Sequence, residues 1–312
     1  MTRDLIGLAG LDTDQIRRLL VDARAMAARP PMWRGPLDDM LIGLVFLEDS
    51  TRTRVSFEIA AQRLGGWTIE LSGRGSSVAK GESLADTVRT IEALGVDAIV
   101  LRARQDGAAE EAAGVLECPL INAGAGTQEH PTQGLLDAYV FAEAHGRLDT
   151  FDLSGLTYAI VGDVDHSRVA RSDIAAMTRL GARVICVGPE SMCHASIADL
   201  GCVVERDFER ALQAADAVQM LRMQFERHEE AGPTGASPLI GSLADYRAGY
   251  ALTADRVKHM KPSAAVMHPG PANRGLEIDD FVADSPRALI RRQVTCGVWV
   301  RMAVLAQLVG KG

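Results

Sequence analysis

The chain reads as an α/β protein of two domains, each a parallel sheet flanked by helices, on three observations. Short apolar runs of strand length recur near residues 41–47, 67–71, 97–101, 119–122, 157–162, 183–187, 202–204, 216–221 and 264–267. Helical patterns lie between many of them, as in 82–94, where Leu84, Val88 and Ile91 share a face. Such alternation requires crossover helices and therefore parallel sheets covered on both sides. Finally, 312 residues exceed what one hydrophobic core usually organises, which divides the chain in two.

From the N-terminus, an amphipathic helix starts at about Asp12. The run Leu41 to Leu47 is a buried strand that stops abruptly at Glu48, Asp49 and Ser50, and a helix with Phe57, Ala60 or Ala61, and Leu64 on one face follows, closed by Gly65 and Gly66. Pro131 suits the first position of a helix ending near Gly146. The polar connector 147–155 then opens a new strand, which puts the boundary between a first domain, 1–146, and a second, 147–285. A last helix from about Pro286 carries Val298, Met302 and Leu305 at helical spacing, and residues 286–312 are expected to return to the first domain.

Composition narrows the function. The chain is 47% hydrophobic and 24% charged, ordinary for a globular protein, and its net charge of −8 argues against a general nucleic-acid or anionic-membrane surface. An anion site must then be a local cluster. Five cysteines without a C-x-x-C pair suit a reduced, cytoplasmic setting without a structural zinc. No stretch reaches the roughly 18 apolar residues of a membrane span. G-x-G-x-x-G is absent, so a dinucleotide site has little support.

The chemistry concentrates at strand ends, where sites of α/β sheets lie. Ser50, Thr51, Arg52, Thr53 and Arg54 occupy a strand-to-helix turn, whose unpaired N–H groups and helix dipole attract an anion, and two guanidiniums add to it. Ser76, Ser77 and Lys80 sit on a small-residue loop able to close over an anionic ligand, and Arg102 follows the strand 97–101. His130 at a helix N-terminus is disfavoured as imidazolium, so a neutral ring can donate to a carbonyl, while the Gln133 amide can both donate and accept. In the second half Arg168 opens a helix, and Arg222 and Gln224 follow a strand; two arginine forks suit a dicarboxylate. The segment 268–275 (HPGPANRG) makes a rigid turn whose free carbonyls can accept from an amide. Each motif taken singly also has a plain reading as a cap, a strand terminator or a turn.

In order, the Ser50 to Arg54 string, the loop with Ser76, Lys80, Gly81 and Glu82, His130-Pro131-Thr132-Gln133, Gly162-Asp163 with Ser167-Arg168, Leu221-Arg222-Met223-Gln224, His268-Pro269-Gly270-Pro271, and Gly297 with Arg301-Met302-Ala303 resemble the successive motifs of the aspartate carbamoyltransferase catalytic chain. The resemblance covers essentially the whole chain. It implies a two-domain homotrimer that joins carbamoyl phosphate to L-aspartate in pyrimidine synthesis, needing no metal or organic cofactor, with regulatory or dihydroorotase subunits as further candidate partners. By the same resemblance Ser50, Thr51, Arg52, Thr53 and Arg102 hold the phosphate. Ser76 and Lys80 come from the neighbouring subunit. Thr53, Arg102 and His130 contact the carbamoyl oxygen, and Gln133 with the Pro269 to Pro271 backbone, including Gly270, holds its amide. Arg168, Arg222 and Gln224, with Lys80, hold the aspartate carboxylates. Arg52, Thr53, Lys80, Arg102 and His130 are the implied catalytic set.

Two readings stand beside it. Ornithine carbamoyltransferase resembles the first half, but its motifs H-P-C-Q, S-M-G and H-C-L-P are replaced or missing here, where Thr132 and Gly270 stand in the first and last. A catalytically silent homologue serving as an assembly subunit is the other. Asp165, where many relatives are basic, and Cys296, where a polar residue is commoner, depart from the family pattern.

Overall fold

A computed structural model describes residues 3–29, 35–72, 81–223 and 242–310. Helix α1 (Thr13–Ala27) begins in a capping box: the Asp12 side chain accepts from the Gln15 N–H, and the Gln15 side chain accepts from that of Asp12. The first sheet comprises β1 (Leu41–Phe46), β2 (Trp67–Ser72), β3 (Ala98–Ala103) and β4 (Leu120–Ala125), all parallel in the order β2-β1-β3-β4. Its intervening helices are α2 (Thr51–Arg63), α3 (Leu84–Ala93) and α4 (Ala108–Ala113).

Helix α5 (Pro131–Ala144) leads to the second sheet, β5 (Thr157–Val161), β6 (Arg183–Val187), β7 (Val203–Glu205), β8 (Ala217–Met220) and β9 (Ala265–Met267), parallel in the order β7-β6-β5-β8-β9. Helices α6 (Arg168–Arg179), α7 (Phe208–Ala214), α8 (Leu243–Tyr250) and α9 (Asp280–Ala283) accompany it, and α10 (Ile290–Leu308) ends the described chain. The α/β class with two helix-flanked parallel sheets is thus what the sequence predicts. Each apolar run forms a strand, with ends shifted by at most three residues.

Two expectations need correction. The last helix starts at Ile290 rather than near Pro286, because the intervening backbone is held to the edge of the second sheet: Val266 N donates to Arg287 O at 2.9 Å and Leu289 N to Val266 O at 2.8 Å. Arg102 does not follow its strand but lies within β3, one residue from its end.

The core explains how the two sheets are joined. Helix α5 is buried on every face from Pro131 to Ala142, since it packs against α6 on one side and α10 on another. Burial on every face marks a helix inside a protein. Helix α10 also packs on α1 and α2, so the C-terminus returns to the helices of the first sheet.

Candidate active site

Both sheets reverse their strand order, the first between β1 and β3 and the second between β5 and β8. A crevice opens at the carboxyl ends of strands at each such reversal. Here the two crevices meet in one cleft of about 1060 Å³, lined from the first sheet by Ser50, Thr51, Arg52, Thr53 and Arg102 and from the second by Arg168 and Arg222. His130 and Gln133 from α5, and Gly270 and Pro271 after β9, complete its wall.

Ser50 is the N-cap of α2 and spends no side-chain hydrogen bond on capping, and the first turn carries no acidic residue. The helix N-terminus and Arg52 therefore both face an anion with attraction. Burial, and then the charge of Arg222, lower the Arg52 pKa, so arginines from the two sheets feel each other across the cleft. Gly270 sits against this guanidinium: a Cβ there would fall 3.1 Å from Arg52 Cζ, and its φ of +66° itself favours glycine. Arg54 was expected beside Arg52 but is directed elsewhere, pairing with Glu70 at 2.7 Å and lying 3.9 Å from Glu58. Two residues along a helix turn a side chain about 200° away.

Arg102 and Arg168 converge on Glu48. The Arg168 Nη1 and Nη2 donate to its two oxygens at 2.9 Å each, and Arg102 Nη2 donates at 3.3 Å. Arg102 also donates to Ala123 O at 3.1 Å, and Arg168 to Gly126 O at 3.2 Å. Only a glycine admits both: a Cβ on Gly124 would come within 2.9 Å of Arg102 Nη1 and 3.1 Å of Arg168 Nε. Glu48 ends the apolar run of β1, and its position among arginines is a signal that strand periodicity does not reveal.

His130 is the N-cap of α5 and 4% exposed. Burial, with the charges of Arg102, Arg301 and Arg168, holds its pKa well below the usual histidine value, so the ring is neutral. Its Nδ1 finds no hydrogen-bond partner among the described residues. Gln133, one turn on, donates from Nε2 to both Asp137 oxygens at 3.1 and 3.0 Å. Arg301 enters from α10, 4% exposed, with its guanidinium 5.2 Å over the Phe57 ring; burial brings its pKa down to about 10.

Of the residues singled out in the sequence, Ser50, Thr51, Arg52, Thr53, Arg102, His130, Gln133, Arg168, Arg222, Gly270 and Pro271 all line this one cleft. Ser76, Lys80 and Gln224 lie outside the described residues. Sequence reasoning passed over Glu48, Asp137, Gln293 and His166, although Asp137 stands four residues after Gln133 on a largely apolar helix, a spacing that brings side chains together. Asp165, the departure from the family pattern, accepts from the His194 backbone at 2.9 Å and bonds its ring Nδ1 at 2.5 Å, holding a neighbouring loop. Cys296 is fully buried in α10, where burial pushes its thiol up to about 12.

Chemically, a cleft with cationic groups on both flanks and a neutral histidine between them can hold two acidic molecules side by side and donate to a carbonyl oxygen. A family model for the aspartate/ornithine carbamoyltransferase carbamoyl-P binding domain matches residues 3–143, and its Asp/Orn binding domain model matches residues 154–308. The chain is 42% identical over 316 residues to the aspartate carbamoyltransferase catalytic subunit of Halothermothrix orenii, covering 99% of this chain and 96% of that one. It is 48% identical over 266 residues to that of Thermobifida fusca, covering 85% and 81%. It is also similar to aspartate transcarbamoylase from Trypanosoma cruzi solved with carbamoyl aspartate and phosphate, at a TM-score of 0.85, 29% identity and coverage of 98% and 96%. Ornithine carbamoyltransferase from Pyrococcus furiosus matches at a TM-score of 0.83, 29% identity and coverage of 98% and 96%.

Proposed function

The chain belongs to the aspartate/ornithine carbamoyltransferase family, and from that premise we propose that it transfers the carbamoyl group of carbamoyl phosphate to the amine of L-aspartate. The products are N-carbamoyl-L-aspartate and phosphate, a step of pyrimidine biosynthesis. Neighbours of both kinds share the fold, so the fold does not choose the amine acceptor. The choice rests on relatives at 42–48% identity, all aspartate carbamoyltransferase catalytic subunits, and on chemistry. Arginines on the second-sheet flank suit a second carboxylate and would repel an ornithine ammonium.

The observation that carries the reading is the single cleft fed by both strand-order reversals, with Arg52 on one flank and Arg222 on the other. In our assignment Ser50, Thr51, Arg52, Thr53 and Arg102 take the phosphate. Thr53, Arg102 and His130 donate to the carbamoyl oxygen, and Gln133 with the Gly270 and Pro271 backbone receives its amide. Arg168 and Arg222 take the aspartate carboxylates, Arg168 by exchanging part of its bond to Glu48 for the substrate. The amine attacks the carbonyl carbon, a C–N bond forms, and the bond to the phosphate oxygen breaks with its electron pair leaving on phosphate, which also receives the amine proton. Negative charge grows first on the carbamoyl oxygen, where each pre-placed donor contributes about 10²–10³ in rate. Alignment of the two substrates lowers the entropic part of the barrier.

We extend the proposal to a homotrimer whose neighbouring subunit supplies Ser76 and Lys80, and to a first domain of 1–146 completed by 286–312, with 147–285 as the second. The free cysteines suit a cytoplasmic enzyme. Among the described residues no helix is long and apolar enough to cross a membrane. Purified protein with radiolabelled carbamoyl phosphate tests the reading: labelled N-carbamoyl-L-aspartate is expected with aspartate and no product with ornithine. The reverse preference would assign the ornithine branch, and silence with both amines in a protein that still forms trimers would support the assembly-subunit reading.

A further inference from the structure

We propose that Asp137, which does not line the cleft, is the positioning residue that turns two separate parts of its wall into acceptors for the substrate's amide nitrogen, and so makes the site prefer carbamoyl phosphate to acetyl phosphate. This deepens the function proposed above and rests on it.

Asp137 is fully buried on α5. Beyond Gln133, it accepts from Gln219 Nε2 of β8 at 2.9 Å and from Gln293 Nε2 of α10 at 2.7 Å. One of these amides is fixed from its other end: Gln293 Oε1 accepts the His268 N–H at 3.0 Å, so it can offer only nitrogen to Asp137. An ionised carboxylate accepts and never donates, so the amide nitrogens are drawn toward it and the amide oxygens turn away. For Gln133, a cleft-lining residue, that leaves Oε1 for the cleft.

The second arm runs through the turn after β9. Gln293 pins the His268 backbone, His268 Nδ1 accepts the Gly270 N–H at 2.8 Å, and Nε2 therefore carries the proton and donates to Glu277 Oε1 at 3.2 Å. The carbonyls of this turn are thereby set in place. Asp137 is the shared anchor of both arms, one from α5 and one from the turn beside α10. The ionisable groups around it are Asp173 of α6, Tyr158 of β5 and Arg301 of α10. Burial and the charge of Asp137 raise the Asp173 pKa well above the usual carboxylate value, while burial raises that of Asp137 only to about 6 against the three amide donors that hold it down, so the negative charge resides on Asp137.

A Gln133 freed to flip would present an N–H₂ to the substrate's own N–H₂, while a methyl in the same place would gain nothing and lose nothing. The selectivity between the two acyl phosphates is therefore the quantity that Asp137 controls. The test compares wild type, Asp137→Asn and Gln293→Met for carbamoyl phosphate affinity and for inhibition by acetyl phosphate and by inorganic phosphate. Loss of one well-placed hydrogen bond is expected to weaken carbamoyl phosphate about tenfold in Asp137→Asn, with acetyl phosphate and phosphate changed by less than about twofold. Gln293→Met should shift the ratio in the same direction through one arm, and it decides the matter alone if the Asp137 variant does not fold. An unchanged carbamoyl-to-acetyl ratio in a folded variant overturns the proposal while leaving the proposed activity intact. Absence of carbamoyl transfer by the wild type removes the premise and the proposal together.

Discussion

Glu48 and Arg168 form a two-pronged ion pair, each carboxylate oxygen taking one guanidinium N–H at 2.9 Å, between the end of a first-sheet strand and the start of a second-sheet helix. The Arg168 side chain is only 6% exposed, so its cation depends on this partner. Glu48→Ala leaves it buried and unpaired, a change that typically costs about 3–5 kcal/mol. The melting temperature is expected to fall clearly and the KM for aspartate to rise more than that for carbamoyl phosphate. An unchanged melt with unchanged KM values would show that the pair does not link the two halves.

Arg52→Ala removes a cleft-lining cation at the α2 terminus and no core residue. Turnover is expected to be abolished while the melting temperature stays within a few degrees and the oligomeric state persists. Near-normal turnover in a carbamoyl-transfer assay would contradict the assignment.

The strands were legible because parallel sheets covered on both faces need continuous apolar runs, and these stand out against the helical spacing between them. The arginines were legible because a charge at the end of such a run, as at Arg52 or Arg222, has few structural reasons to be there. Glu48 and Asp137 were not, because their meaning lies in partners 120 and 156 residues away, Arg168 and Gln293, that only the tertiary fold brings near. Arg54 misled for the opposite reason: it is adjacent to the site in sequence, and the helix turns it away toward Glu70.

His130 is expected to remain neutral as pH is lowered past 6.5, because burial and three arginines oppose its protonation. A depressed pKa stabilises the fold above the unfolded-state value, about 6.5, and that contribution is lost as pH falls toward the folded one. Side-chain nitrogen NMR should therefore show the neutral ring at pH 6, with His130→Asn flattening the acid side of the stability profile. An imidazolium signal for His130 at pH 6 would contradict this.

Asp173 carries the opposite sign. Burial and then the charge of Asp137 raise its pKa, so its contribution to stability is complete below the unfolded value, near 4, and is lost as pH rises through the folded one. Asp173→Asn replaces an already neutral group by another of similar shape. The variant's melting temperature relative to wild type is expected to climb between pH 5 and 9. A gap that narrows or reverses over that range would place the ionised form at Asp173.

Mixing Lys80→Ala and Arg52→Ala chains tests the proposed shared site, since each hybrid trimer then holds one intact cleft and one that lacks both side chains. Partial recovery of activity is expected after subunit exchange. No recovery once exchange is verified would confine each site to one chain.

The most direct measurement is a crystal structure of the chain with a bisubstrate analogue bearing a phosphonate and an aspartate group. One inhibitor molecule is expected to lie in the cleft with Arg52 on its phosphonate and Arg222 on an aspartate carboxylate. An inhibitor bound to only one of these arginines, with the other facing a separate cavity, would contradict the account.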